Sequence, residues 1–333
     1  MDLNQWERER ARNVPAPLLV VENLKKYFTR GGLLGKRVVR AVDGVSFSLH
    51  RGETLGLVGE SGSGKSTLGR LVLRLYEPTS GRILFDGMDI TWLPEKKLRP
   101  LRRRLQLVPQ DPYASFNPLR SIGEQLVEPL EVHGIAEGEE ARSRVLAMLE
   151  RIGLTPAEEF YQRRPYQLSG GQLQRAAIAR AMLLEPELVV ADEPTSSLDV
   201  SVRASILELL REFKEKLNQA MIFITHDLAT ARLIADNIAV MYLGKIVELG
   251  PVNIVLNKPL HPYTKALLAA IPRISKHGRK EAAELRGDIP DPSSPPPGCR
   301  LHPRCPFARK ICSEKEPALI EVEKGHYVAC HLI

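Results

Sequence analysis

The stretch Gly59-Glu60-Ser61-Gly62-Ser63-Gly64-Lys65-Ser66-Thr67 constrains this chain more than any other. It fits the spacing G-x-x-x-x-G-K-[ST]. The apolar run Thr54 to Val58 before it reads as a buried strand, and Ser66 to Leu75 after it reads as a helix. Strand, glycine-rich loop and helix in that order make a phosphate-binding turn. Gly59, Gly62 and Gly64 let the backbone curl so that successive N–H groups point inward, and the helix N-terminus adds positive potential there. Lys65 supplies a point charge to the β- and γ-phosphates and Ser66 a hydroxyl ligand for Mg2+, with Ser61 and Thr67 in the same binding run. ATP or GTP binding is the expectation.

A chain of 333 residues has room for one large domain and an appendage, and 43% hydrophobic residues is ordinary for a globular protein. The net charge of +7 is modest for this length and does not by itself imply nucleic acid. Met1 to Asn13 is densely charged and lacks the apolar centre of a secretory signal, which suggests a cytoplasmic chain. No uninterrupted run of about 18 apolar residues occurs, so a membrane role would have to come through partners. Four cysteines, all from position 299 onward, suggest metal or cluster ligation before structural disulfides.

Before the phosphate loop, Leu18 to Val21, Val38 to Val42 and Val45 to Leu49 read as short strands. Tyr27 and Phe28 stand between the first two, ahead of a glycine-rich insertion, Gly31 to Arg40. After the loop helix, Gly81 to Asp86 and Leu105 to Pro109 read as strands around a basic helix, Leu93 to Arg104. Gln110 ends the second of these. The proline-punctuated loop 111–118 that follows is expected to be irregular, and Ile122 to Gly153 reads as a helical insertion. Leu168-Ser169-Gly170-Gly171-Gln172 opens a strongly helix-forming run to Leu184 and makes a second anion-friendly helix start. Leu188 to Asp192 reads as a fully buried strand followed by Glu193. Asp192 is placed to hold a metal-bound water near the nucleotide, and Glu193 to reach a water attacking the γ-phosphate. The turn 196–199 leads into an amphipathic helix, Val200 to Leu217, and the strand Met221 to Thr225 ends at His226. In a parallel α/β sheet, ligands bind outside the carboxyl ends of the strands, where Gly64, Gln110, Asp192, Glu193 and His226 would gather.

Together these motifs resemble the nucleotide-binding subunit of an ATP-binding cassette (ABC) transporter over residues 18–255. The resemblance implies a P-loop NTPase of α/β class with a β-rich subdomain, a RecA-like core and a helical subdomain at about 111–185. A charged segment, 1–17, precedes it, and a small Cys-containing C-terminal extension, 256–333, follows. The phosphate loop is similar to Walker A, Leu168 to Gln172 to the LSGGQ signature, and Leu188 to Asp192 to Walker B. Gln110 then corresponds to the Q-loop glutamine and a ligand of Mg2+ beside Ser66 and Asp192. Glu193 corresponds to the catalytic glutamate, Asp199 to the D-loop aspartate and His226 to the switch histidine. The adenine-stacking aromatic would be Phe28, or Tyr27 if the register moves by one residue.

His261-Pro262-Tyr263-Thr264, the proline-rich Pro290 to Pro297 and the four cysteines resemble the oligopeptide/dipeptide importer branch, and the F-type more than the D-type subunit. That resemblance implies an ATPase energising peptide import, with oligosaccharide or nickel import, or a non-transport ABC ATPase, as alternatives. It also implies a second homologous ATPase subunit, two membrane permeases, an extracytoplasmic binding protein and no nucleic acid. The location would be peripheral, on the cytoplasmic face of the inner membrane. Signature residues Ser169, Gly170, Gly171 and Gln172 would close over ATP held by the other subunit. Cys299, Cys305, Cys312 and Cys330 would hold a [4Fe-4S] cluster or zinc, the Cys305-Pro306 pair favouring the cluster.

Overall fold

In a computed structural model of the chain, residues 16–32, 35–196, 198–270 and 284–333 are described. Most of the charged segment 1–17, two residues of the 31–40 stretch and Ser197 of the polar turn lie outside the described residues.

Two long strands, β1 (Leu19–Gly32) and β2 (Gly35–Leu49), pair antiparallel along their whole length. The stretch expected as an insertion is therefore the end of this hairpin, because its Val38 and Val39 continue the pairing with Thr29 and Phe28. β3 (Thr54–Val58) and the loop lead into α1 (Lys65–Val72), then β4 (Ser80–Phe85) and β5 (Met88–Asp89). α2 (Glu95–Arg102) and β6 (Leu105–Val108) follow. Next come the helices α3 (Ile122–Val132), α4 (Gly138–Arg151), α5 (Ala157–Gln162) and α6 (Gly170–Met182). The expected helical insertion, Ile122 to Gly153, consists of α3 and α4, separated at Gly134, which sits at φ +62, with α4 starting at Gly138, φ +56. The loop 111–118 is not wholly irregular, since Tyr113–Ser115 forms one 3-10 turn whose N–H groups are received by the Asp111 carboxylate and the Pro112 carbonyl.

β7 (Leu188–Asp192), α7 (Val200–Leu217), β8 (Ala220–Thr225), α8 (Leu228–Ile234), β9 (Asn237–Tyr242) and β10 (Lys245–Pro251) complete the core. β6, β7, β8, β3 and β9 lie side by side in parallel. Period-two alternation sends their side chains into two cores. Val190, Ile222 and Ile224 pack with α1 and the antiparallel sheet β2-β1-β4-β5. Val189, Ala191, Met221 and Phe223 pack with α6, α7 and the helices of 122–182. Burial on both faces is why β7 and β8 are near-continuous apolar runs rather than alternating.

The C-terminal part carries α9 (Val252–Asn257), α10 (Pro262–Ala269), α11 (Lys310–Glu314), β11 (Ile320–Glu323) and β12 (His326–Val328). It is continuous with the core sheet: β12 pairs antiparallel with β10, and β11 with β12, so the chain's last hairpin extends the sheet by two strands. The join is held by Glu248 of β10, fully buried, which accepts from Leu260 N, His261 N and His326 Nε2 at 2.8, 3.1 and 2.8 Å. Burial pushes the His261 imidazole down to about 3 and Lys265 works in the same direction, so His261 is neutral and its Nδ1 receives the Tyr263 N–H that starts α10.

Candidate nucleotide-binding site

Parallel pairing sets the strand ends level. Val58 lies opposite Thr225, Asp192 opposite Ile224 and Val108 opposite Ala191, so the residues just beyond β3, β8, β7 and β6 open on one edge. At the end of β3 the loop turns through Gly59 (φ +159), Gly62 (φ +78) and Gly64 (φ +104). Gly64 has a second requirement: a Cβ there would sit 2.1 Å from the Ala41 carbonyl oxygen, so β2 and the loop approach only because no side chain intervenes. Ser61 and Gly62 are exposed, while Thr67 is half-buried on the first turn of α1.

Lys65 is buried, and its Nζ donates to the carbonyl oxygens of Gly59 and Glu60 at 2.7 and 2.9 Å and to Ser63 Oγ at 3.4 Å. Burial pulls its pKa down, opposed by the carboxylates of Glu193, Asp192 and Glu60. Ser66 Oγ donates to Asp192 Oδ1 at 2.7 Å, tying the loop helix to β7. Asp192 is only 2% exposed and burial raises its pKa against the Ser66 hydrogen bond and Arg70, whose guanidinium lies 4.0 Å away. Ser66 and Asp192 are thus paired, both with oxygen atoms suited to a hard cation.

Glu193 has φ +45, an uncommon backbone state for a non-glycine residue, and it turns the carboxylate back over the strand ends. Its Oε2 receives Gln110 Nε2 at 3.4 Å and stands 3.1 Å from His226 Nδ1. Three residues chosen from separate strand ends therefore meet at one oxygen. The exposed Asp199 begins α7, where its carbonyl receives Arg203 N–H at 2.8 Å.

Ser169 is the N-cap of α6, its hydroxyl accepting from Gln172 N and Gln172 Oε1 accepting from Ser169 N. The hydroxyl hydrogen remains available for an anion. Gly170 and Gly171 differ in clearance. A Cβ on Gly171 would meet Val202 of α7 at 2.6 Å, whereas one on Gly170 finds its nearest neighbour, Leu198, at 3.8 Å. Gly171 is thus also a packing glycine.

Tyr27 and Phe28 point to opposite sides of β1. Phe28 makes an edge-on contact with Tyr76, centroids 5.6 Å apart, with Lys26 Nζ 5.1 Å from its ring. The Tyr27 hydroxyl donates to Asp43, and burial with this bond raises its pKa to about 12. Asp43 N donates to Gly244 O and Gly244 N to Ser63 O, at 2.9 and 2.8 Å, so Tyr27 is the aromatic linked to the phosphate loop.

The four cysteines are free thiols, brought into one neighbourhood in which Cys299 feels the charge of Cys312, Cys330 and Cys305. The expectation of a ready ligand set needs correction: among the described residues no group of three or more His, Cys, Asp or Glu side chains is set to hold a metal ion. Burial pushes the Cys299 thiol up to about 11 and raises Cys305 and Cys330, favouring the neutral thiol at these three positions.

Sequence reasoning missed the C-terminal residues that reach the loop. Tyr263 Oη accepts the Glu60 N–H at 2.8 Å, Arg304 Nη1 donates to Glu60 Oε2 at 2.9 Å, and Arg300 donates to Asp43 and to the Leu243 carbonyl. No local pattern announces these, because each joins segments far apart in the chain.

The ABC transporter family profile matches residues 42–196, and the profile described as oligopeptide/dipeptide transporter, C-terminal region, matches residues 247–312. The chain is 49% identical over 321 residues to the oligopeptide transport ATP-binding protein AppF of Bacillus subtilis, covering 95% of this chain and 97% of that one. It is 46% identical over 316 residues to the dipeptide transport ATP-binding protein DppF of Haemophilus influenzae, covering 94% and 96%. Among solved structures, the dimeric post-hydrolysis state of the ATP-binding cassette MJ0796 bound to ADP and Pi superposes with a TM-score of 0.64 at 31% identity, covering 70% of this chain and 98% of that one. CbiO1 of Clostridium perfringens, part of the ABC transporter complex CbiONQ, gives 0.63 at 31% identity, covering 73% and 92%. With both profiles matched and relatives at 49% and 46% identity covering 95% and 94% of it, the chain belongs to the ATP-binding proteins of ABC transporters, in the oligopeptide/dipeptide branch.

Proposed function

We propose that this chain is the ATP-hydrolysing subunit that energises import of di- or oligopeptides. The observation that carries the reading is the meeting of Gln110, Glu193 and His226 at one carboxylate oxygen, beside the Ser66 to Asp192 pair and the Lys65 loop. Peptide cargo is supported by the names of the relatives and by the C-terminal profile.

In this reading Lys65 and the loop amides bind the phosphates of ATP, and Ser66, Asp192 and Gln110 hold Mg2+, whose charge offsets that of the triphosphate. Glu193 accepts a proton from the attacking water while His226 orients the γ-phosphate. Tyr27 is favoured over Phe28 as the partner of the adenine ring, because Phe28 is occupied by Tyr76. Ser169, Gly170, Gly171, Gln172 and Asp199 serve a nucleotide held by a second cassette, so that ATP joins two subunits. The dimeric cassette among the structural relatives supports that arrangement. We take residues 18–255 as the nucleotide-binding domain, with 111–185 as its helical part, and 256–333 as the branch-specific region.

No helix among the described residues is long and apolar enough to cross a membrane, so the reading places this chain against two permeases at the cytoplasmic face, with a binding protein outside. A cavity of about 320 Å3 beside the Gln110 loop, lined by Leu73, Leu105, Leu107, Pro109, Ser115 and Arg180, suits a permease segment. Affinity isolation of the tagged chain from detergent-solubilised membranes should bring down two permeases and a sister ATPase. Recovery with ribosomes or DNA instead would contradict the reading.

The cysteines fit a [4Fe-4S] cluster in donor chemistry. Each sulfur has a backbone N–H directed at it, from Leu301 to Cys299, Phe307 to Cys305, Leu332 to Cys330 and, at 3.5 Å, Arg309 to Cys312. Such bonds stabilise thiolates bound to iron. The group would be structural, its assembly displacing the thiol protons. Protein isolated without oxygen should be brown and contain about four irons per chain. Colourless protein with about one zinc per chain would keep the ligands and exclude the cluster.

A further inference from the structure

Resting on the ATP reading above, we infer that Arg300 and Arg304, which adjoin Cys299 and Cys305, are positioning residues of the nucleotide site: Arg304 holds and neutralises Glu60 of the phosphate loop, and Arg300 holds Tyr27 through Asp43. The C-terminal segment is thereby a built part of the ATP site rather than an appendage to it.

Three observations converge. Glu60 is the second residue of the phosphate loop, and it is gripped twice from the C-terminal part. Tyr263 Oη receives its N–H at 2.8 Å, and Arg304 donates to its two carboxylate oxygens at 2.9 and 3.4 Å. Arg304 is itself 8% exposed, its guanidinium 5.9 Å from the Tyr242 ring centroid, and Tyr242 packs on Tyr263 with centroids 4.7 Å apart. Arg300, also 8% exposed, donates to Asp43, which is 7% exposed, and to the carbonyl of Leu243. The next residue, Gly244, donates its N–H to Ser63 of the loop. A single short segment thus touches the loop directly and, through the β9 to β10 turn, indirectly.

The electrostatics give Arg304 a task that packing alone would not. The Glu60 carboxylate is close enough to act on Lys65, and unpaired it would repel an incoming triphosphate. With Arg304 beside it, the local charge is cancelled. Exposed ion pairs contribute little, but Arg300 and Asp43 are both buried, and the buried Arg304 reaches a half-buried Glu60, so their geometry is enforced by the cost of leaving a buried charge without its partner. Arg300 acts on the other side of the ligand. It holds Asp43 in line with the Tyr27 hydroxyl, with Lys245 Nζ 3.8 Å from the same carboxylate and 2.6 Å from Glu316.

Nucleotide titrations on the full-length chain test both arms. Arg304→Gln should raise the Kd for ATP about tenfold, and adding Glu60→Gln to it should restore affinity, because the unneutralised carboxylate is then gone. Glu60→Gln alone should bind ATP at least as tightly as the parent, which keeps the test decisive if Arg304→Gln fails to fold. Arg300→Gln should weaken ATP several-fold more than inorganic tripolyphosphate, since its bond to Asp43 acts on the base side and only its contact with Leu243 reaches the loop. Equal weakening by Glu60→Gln and Arg304→Gln without rescue in the pair, or equal weakening of ATP and tripolyphosphate in Arg300→Gln, would overturn the inference. Lys65→Ala run alongside separates the two levels: if it binds ATP like the parent, the ATP reading itself fails, whereas parental affinity in the arginine variants alone defeats only this inference.

Discussion

Glu193→Gln is expected to bind MgATP as the parent does and to lose hydrolysis by about 100- to 10,000-fold, the contribution of a positioned general base. The substitution keeps the size and the hydrogen-bonding reach of the side chain. The remaining amide oxygen can still receive Gln110 Nε2, though without a carboxylate's basicity, and the left-handed backbone at φ +45 is no worse for Gln than for Glu. What disappears is the basic oxygen beside His226. Because binding and closure survive while turnover stops, the variant should accumulate as an ATP-loaded dimer with the sister ATPase, visible as a doubled mass in size-exclusion chromatography of the two chains mixed with MgATP. Hydrolysis near the parental rate in the assembled transporter would show that another group activates the water.

Lys65→Ala should act one step earlier, on binding. Hydrogen bonds to charged groups contribute about 1.5–3 kcal/mol each, so the loss of this ammonium weakens ATP by roughly 10- to 150-fold per contact removed. A second effect adds to it. Lys65 is the donor that satisfies the carbonyls of Gly59 and Glu60, and without it the loop loses the link across its own turn. Equilibrium dialysis with labelled ATP measures the change, and an unchanged Kd would remove Lys65 from the site.

The core was readable from residue types because its strands are buried on both faces. Leu188 to Asp192 and Ala220 to Thr225 carry no polar interruption until the strand end, where the chemistry begins. The phosphate loop and the signature were readable for a related reason: glycine at a close approach, as at Gly64 against Ala41, tolerates no substitute. Which of Tyr27 and Phe28 is linked to the phosphate loop was not readable. Strand facing governs it, and β1 has irregularities against β2 on both sides of Lys25 and Lys26, which change the facing in a way only the pairing reveals. The final hairpin was hidden for the opposite reason. Ile320–Glu323 is mostly exposed and mixes charges with apolar residues, so nothing local marks it as an extension of the core sheet. The cysteines were legible as a set in the sequence, but among the described residues no group of three or more is arranged to hold a metal ion, and the gaps between them could not foretell that.

The most direct measurement of the account is uptake of a labelled peptide into proteoliposomes that contain the isolated permease complex and its binding protein, with ATP supplied on the side of this chain. Uptake should require ATP and should fall to background when this chain carries Glu193→Gln. Peptide accumulation that continues at the parental rate with Glu193→Gln, or without ATP, would contradict it.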